Sequence, residues 1–159
     1  MNESQLHPNA ARVQAALEAA GSSSRVLELD GSTRTADEAA ATLGVEVAQI
    51  VKSLVFVADG EPVLMLVPGD RRVDTAKAQS FLEADHFERA DADMVREATG
   101  FPIGGVPPVG HSSELLTLLD TGLGRHEVLW AAAGTPRAVF ATSEEELLML
   151  TAGVAAELT

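Results

Sequence analysis

Cysteine is absent from this chain, and so is tyrosine. The first absence excludes disulfides, thiolate catalysis and cysteine-ligated zinc. Aromatic residues make up only 4% of the sequence, with a single tryptophan. That argues against the wall of stacked rings used to bind single-stranded nucleic acid. Positive charge is scarce as well: 11 Lys and Arg stand against 24 Asp and Glu, a formal net charge of −13. Tracking a nucleic-acid backbone requires many cationic contacts, so that mode of binding is disfavoured. No apolar run approaches the roughly 20 residues of a membrane span. The first eleven residues are polar and unlike a secretory leader, so the expectation is a cytoplasmic protein without membrane contact.

What remains is sufficient for one globular unit. At 159 residues and 46% hydrophobic content, the expectation is a single domain over residues 1–159 with one real core. The acidity is uneven. Residues 51–80 balance Lys52, Arg71, Arg72 and Lys77 against Asp59, Glu61, Asp70 and Asp74, and they hold both lysines of the chain. An anionic ligand would dock there; elsewhere the negative surface serves solubility.

Apolar spacing over Leu6–Ala20, closed by Gly21, predicts a helix, and Arg25–Leu29 alternates like a short strand. Thr35-Ala36-Asp37-Glu38 is a capping box that opens an alanine-rich helix ending at Gly44. Asp59-Gly60 predicts a hairpin between a strand from Ile50 to Ala58 and a returning strand from Pro62 to Val67. Helices are expected over Asp74–Leu82 and Ala92–Thr99, strands over Glu114–Leu119, Val128–Ala133 and Arg137–Ala141, and a last helix N-capped by Thr142. The class is α+β, with a mixed, strongly curved, barrel-like sheet surrounded by helices.

Two features carry candidate chemistry. Lys52 interrupts Ile50-Val51-Lys52-Ser53-Leu54-Val55-Phe56-Val57-Ala58, a run apolar on both alternating faces. A lysine in such a strand either faces a cavity that receives an anionic or carbonyl-bearing group, or snorkels to water along its stem. The second feature is Gly100–His111, dense in glycine and proline, through which no regular element can run. Its peptide N–H groups can form a concavity for an anion or oxyanion; alternatively the loop merely turns the chain. It lacks both the phosphate-loop ending and the dinucleotide spacing. His111 follows it directly, as an acid/base or hydrogen-bonding group or as a structural one. His7, His86 and His126 have no metal-ligand spacing, and no Ser-His-Asp or paired-carboxylate signature is present. Neither a metal nor a cofactor is expected.

Together, Thr33-Arg34-Thr35, Ala39-Ala40, Leu43-Gly44-Val45, Gln49 to Phe56, Gly69-Asp70, Val73-Asp74, Gly104 to Gly110 and Ala132-Ala133-Gly134-Thr135-Pro136 resemble the YbaK/ProX family of aminoacyl-tRNA deacylases, relatives of the editing domain of prolyl-tRNA synthetases. The resemblance implies hydrolysis of the ester joining a small, wrong amino acid to the 3′ adenosine of a tRNA, with the tRNA acceptor end and a synthetase as partners. It implies a catalytic role for Lys52 and for Gly104 and Gly105 of a Gly-x-x-x-Pro loop ending at Pro108. Substrate contacts would come from Ser53, Val106, Pro107, Pro108, His111 and Gly134. With no general base evident, it implies a positioned water helped by a ribose hydroxyl. Ala132 and Ala133 stand where some members carry a serine. The alternative is a catalytically silent module of the same fold that binds an aminoacyl group or nucleotide.

Overall fold

The computed structural model of the chain describes residues 5–159. Helix α1 (Pro8–Ala19) starts with proline in its first turn, capped by the His7 ring, and buries Ala10, Val13 and Leu17. Strand β1 is Leu27–Glu28. Helix α2 (Ala36–Leu43) has the expected capping box at Thr35 and Glu38 and ends on left-handed Gly44. A single 3-10 turn over Val47–Gln49 leads into β2 (Ile50–Ala58), which turns back at Asp59-Gly60 into β3 (Glu61–Pro68). Then come α3 (Thr75–Leu82), β4 (Phe87–Arg89), α4 (Ala92–Thr99), β5 (Leu116–Asp120), β6 (Leu129–Ala132), β7 (Ala138–Thr142), α5 (Glu144–Thr151) and β8 (Val154–Ala156).

The strands form one mixed sheet in the order β1-β7-β6-β2-β3-β5-β8, with β4 joining β2 off this path. The path is open, with β1 and β8 as its ends. One face of β2 sends Val51, Val55 and Val57 into the main core, with Leu64, Leu66 and Phe140. Its other face packs Phe56 with Met65, Val67 and Leu118.

Two short strands have no signal in the sequence. β4 forms because Asp59, at the hairpin turn, accepts the peptide N–H groups of Asp85 and His86, and Phe87 stacks on Phe56 at 5.0 Å between ring centroids. β8 is three residues beyond Gly153 that pair in parallel with β5. The cap of α5 also differs from expectation. Thr142 pairs with Leu129 as the last residue of β7, so the cap passes to Ser143, whose hydroxyl accepts from the Glu146 N–H.

Buried Asp120 ties this part of the molecule together. Its carboxylate accepts from the N–H groups of Leu158 (2.8 Å) and Gly122 (3.0 Å) and from the Thr159 hydroxyl (3.2 Å). Asp120→Ala leaves those donors without an acceptor. The expected loss is about 3 kcal/mol, read as a lower urea midpoint at unchanged slope. A loss below about 1 kcal/mol, the size of an ordinary surface change, would contradict this role.

Candidate active site

β2 is paired along its length on one edge only. There β3 matches it from Val51 to Ala58. On the other edge β6 pairs with Ile50 and Val51, while β4 pairs with Phe56, Val57 and Ala58. Residues 52–55 face the gap between the two partners, bridged to β4 only by the Ala90 N–H on the Val55 carbonyl. Antiparallel pairing alternates the direction of the peptide groups. Because the Ile50 carbonyl accepts from Gly69 after β3 and that of Val55 from Ala90 on the other side, the Ser53 peptide points into the gap.

A cavity of about 460 Å³ opens at this gap. Burial along β2 lapses there: Lys52, Ser53 and Leu54 are half-buried between fully buried neighbours. Besides these, the wall takes Arg34 and its flanking threonines from before α2, Arg89 from β4, Trp130 and Ala132 from β6, and Ile103, Gly104 and Val106 from the glycine-proline loop. Among the described residues of the wall the charged ones are Arg34, Lys52 and Arg89, all cationic, on a chain of net charge −13. The described residues of the wall include no carboxylate to act as a general base.

The Lys52 ammonium donates to the Arg71 carbonyl, in the turn after β3. Burial lowers its pKa below the ordinary lysine value, and Arg72 and Arg89 push in the same direction. No carboxylate forms an ion pair with it among the described residues. Next to it, the buried hydroxyl oxygen of Ser53 has no hydrogen-bond partner among the described residues. An unsatisfied buried hydroxyl costs free energy, so one that faces a cavity suits a ligand that completes it.

The loop is held from behind. Gly105 donates its N–H to Pro102 (3.2 Å), and its carbonyl accepts from the Gly134 N–H (2.8 Å). A Cβ on Gly105 would lie 2.9 Å from backbone atoms of Gly134 and Thr135, so only glycine allows this approach. Gly134 itself has φ +97° and packs on Asn9, whose side chain donates to its carbonyl. His111 Nε2 donates to the Pro107 carbonyl at 2.6 Å, and Arg12 donates to that of Gly110 while covering the Phe101 ring. Burial lowers the His111 pKa, which suits a neutral ring serving as a fixed donor.

Of the residues expected to act, Lys52, Ser53, Gly104 and Val106 thus meet at one cavity. Gly105, Pro107, Pro108, His111 and Gly134 are not among the residues lining it; Gly105 and Gly134 bond each other, and His111 bonds the Pro107 carbonyl. The Gly105 N–H is already committed, whereas those of Gly104 and Val106 have no acceptor among the described residues. Arg34, Arg89, Trp130 and Ile103 were not anticipated on the wall. Arg34 sits in the quoted Thr33-Arg34-Thr35 segment, its stem packed on Gly104. Arg89 is placed by a strand too short to leave a pattern.

Residues 30–150 match the aminoacyl-tRNA editing domain family. A solved structure described as a candidate trans-editing enzyme for prolyl tRNA synthetase superposes with a TM-score of 0.92 at 49% identity, over 98% of this chain and 99% of that one. The proline–tRNA ligase of Oleidesulfovibrio alaskensis is 46% identical over 76 residues, 48% of this chain and 13% of the ligase. That of Nitratidesulfovibrio vulgaris strain DP4 is 44% identical over 89 residues, 56% of this chain and 16% of the ligase. The chain therefore spans a small part of the curated relatives it matches. The chain belongs to the aminoacyl-tRNA editing domain family.

Proposed function

We propose that residues 1–159 work as a single editing domain acting in trans. It hydrolyses the ester of a tRNA misacylated with a small amino acid, with the aminoacylated 3′ adenosine seated in the cavity beside Lys52. The observation that carries this reading is the cavity's charge: three cations and no anion among the described residues of its wall, on a strongly acidic chain. Such a site attracts a local anionic or carbonyl-bearing group while the remaining surface repels extended nucleic acid.

In the proposed reaction, a water held in the cavity attacks the ester carbonyl, helped by a ribose hydroxyl of the substrate. The carbonyl oxygen becomes an oxyanion, held by the N–H groups of Gly104 and Val106. Lys52 anchors the nucleotide or stabilises the developing charge. Collapse breaks the bond between the carbonyl carbon and the ribose oxygen, which takes a proton and leaves as free tRNA. The small side chains of Ala36, Ala39, Ala131 and Ala132 on the wall suit a small aminoacyl group, where binding alone discriminates weakly and hydrolytic removal is needed.

The test is single-turnover deacylation of tRNAs charged with alanine, serine, threonine, cysteine or larger residues. Hydrolysis is expected for at least one small amino acid and none of the large ones. Hydrolysis of none would favour the silent binding module. Binding of uncharged tRNA should be weak, with about three or fewer phosphates engaged in a log–log salt plot; a slope reporting about six or more would contradict a grip confined to the acceptor end.

A further inference from the structure

A lysine head is a point charge on a flexible stem, and among the described residues the hydrogen-bond partner of the Lys52 ammonium is the carbonyl of Arg71. That carbonyl follows the turn at Gly69-Asp70, in the exposed stretch from Asp70 to Arg72. Backbone bonds tie the turn at its start: Gly69 N–H to Ile50, and Arg71 N–H to Pro68. Among the described residues, Asp70 is the only side chain of residues 69–72 with a hydrogen-bond partner. It meets Arg125 with two parallel bonds, Nη2 to Oδ1 at 2.7 Å and Nη1 to Oδ2 at 3.2 Å.

Arg125 is itself held. Its Nε donates to the Gly122 carbonyl at 3.0 Å, in the 3-10 turn Thr121–Arg125, and that turn is capped by buried Asp120. Rigid structure thus continues from Asp120 through Arg125 and Asp70 to the carbonyl that receives Lys52. The two side chains of the pair are 35% and 38% exposed, and ion pairs so exposed add little to stability. Its two-pronged geometry has a better explanation in position than in stability.

We propose that Asp70 and Arg125 form a positioning pair for the deacylase reaction: by fixing the turn after β3 they present the Arg71 carbonyl that holds the Lys52 ammonium on the cavity wall. This rests on the assignment of Lys52 proposed above. Neither residue touches the substrate.

The test compares Asp70→Asn and Arg125→Gln with the parent chain. Each is expected to lower kcat roughly tenfold, with KM changed less than about twofold and the urea midpoint nearly unchanged. The alkaline limb of the pH–rate profile separates positioning from a merely structural role. The charged groups acting on Lys52 are Arg72 and Asp70 beside the turn, Arg89 on β4 and Asp37 on α2, and Arg34 shares the cavity wall. Asp70→Asn removes a carboxylate that favours the ammonium, so the limb moves to lower pH. Arg125→Gln leaves that carboxylate unneutralised, so the limb moves to higher pH.

A second readout needs no activity. The chain has two lysines, so amine labelling resolved by peptide mass reports Lys52 against Lys77. Asp70→Asn is expected to raise that ratio several-fold. Wild-type kcat and an unchanged ratio would overturn the inference, as would loss of stability with both limbs moving together. If Lys52→Ala stays active, the assignment of Lys52 fails, and the labelling ratio still decides the positioning. If Lys52→Ala is inactive while both variants match the parent, this inference alone fails.

Discussion

Replacing Lys52 by alanine is expected to lower kcat/KM for deacylation by about 10²–10³-fold, the range seen when a preorganised charge-stabilising donor is removed. The fold should not suffer. Burial depresses the Lys52 pKa in the folded chain. A base with a depressed folded pKa disfavours folding when protonated: at pH below both the folded and unfolded values the ammonium is a liability, and it lifts as pH rises through the folded value. Lys52→Ala should therefore keep or slightly raise the Tm while activity collapses. Lys52→Arg should not rescue, because the planar guanidinium fits neither the Arg71 carbonyl geometry nor the space of a compact ammonium. Activity within about threefold of the parent would show that the chemistry lies elsewhere on the wall.

The second large effect is expected at a residue that never reaches the cavity. Gly105→Ala introduces a Cβ 2.9 Å from the backbone of Gly134 and Thr135, and backbone cannot swing aside like a side-chain tip. The loop must lift from the Ala133-Gly134-Thr135 turn, stretching the bond from the Gly134 N–H to the Gly105 carbonyl. Overpacking of this kind costs about 1–3 kcal/mol. The larger consequence is displacement of Gly104 and Val106 on either side: a shift near 1 Å at a reacting centre costs about 10²-fold in rate. The measurement pairs kcat/KM with the urea midpoint. Full activity in a folded Gly105→Ala chain would mean that the loop does not need its seat on Gly134.

The two variants separate what the sequence discloses from what it conceals. Lys52 was legible because a cation in a strand apolar on both faces is a local contradiction. The loop was legible because glycine and proline at that density permit nothing regular. The hairpin at Asp59-Gly60, the box at Thr35 and the glycine ends of α2 and α4 follow from local chemistry. The gap that makes the cavity was not legible, because it arises from two partners sharing one edge of β2, and β4 is a three-residue strand set by the Asp59 carboxylate and the Phe56–Phe87 stack. Nor does a loop motif separate wall from support: Gly104 and Val106 face the cavity, while Gly105 is consumed by packing and His111 by the Pro107 carbonyl. Arg34 and Arg89 join Lys52 only through tertiary placement.

In the proposed function the hollow beside Lys52 receives the aminoacylated tip of a tRNA. Lysine labelling in the presence of a non-hydrolysable, amide-linked alanyl-adenosine tests it most directly, since the chain offers only Lys52 and Lys77 for comparison. The expected result is protection of Lys52 that saturates with the analogue and leaves Lys77 untouched. Saturable binding that leaves Lys52 as reactive as in the free chain would contradict it.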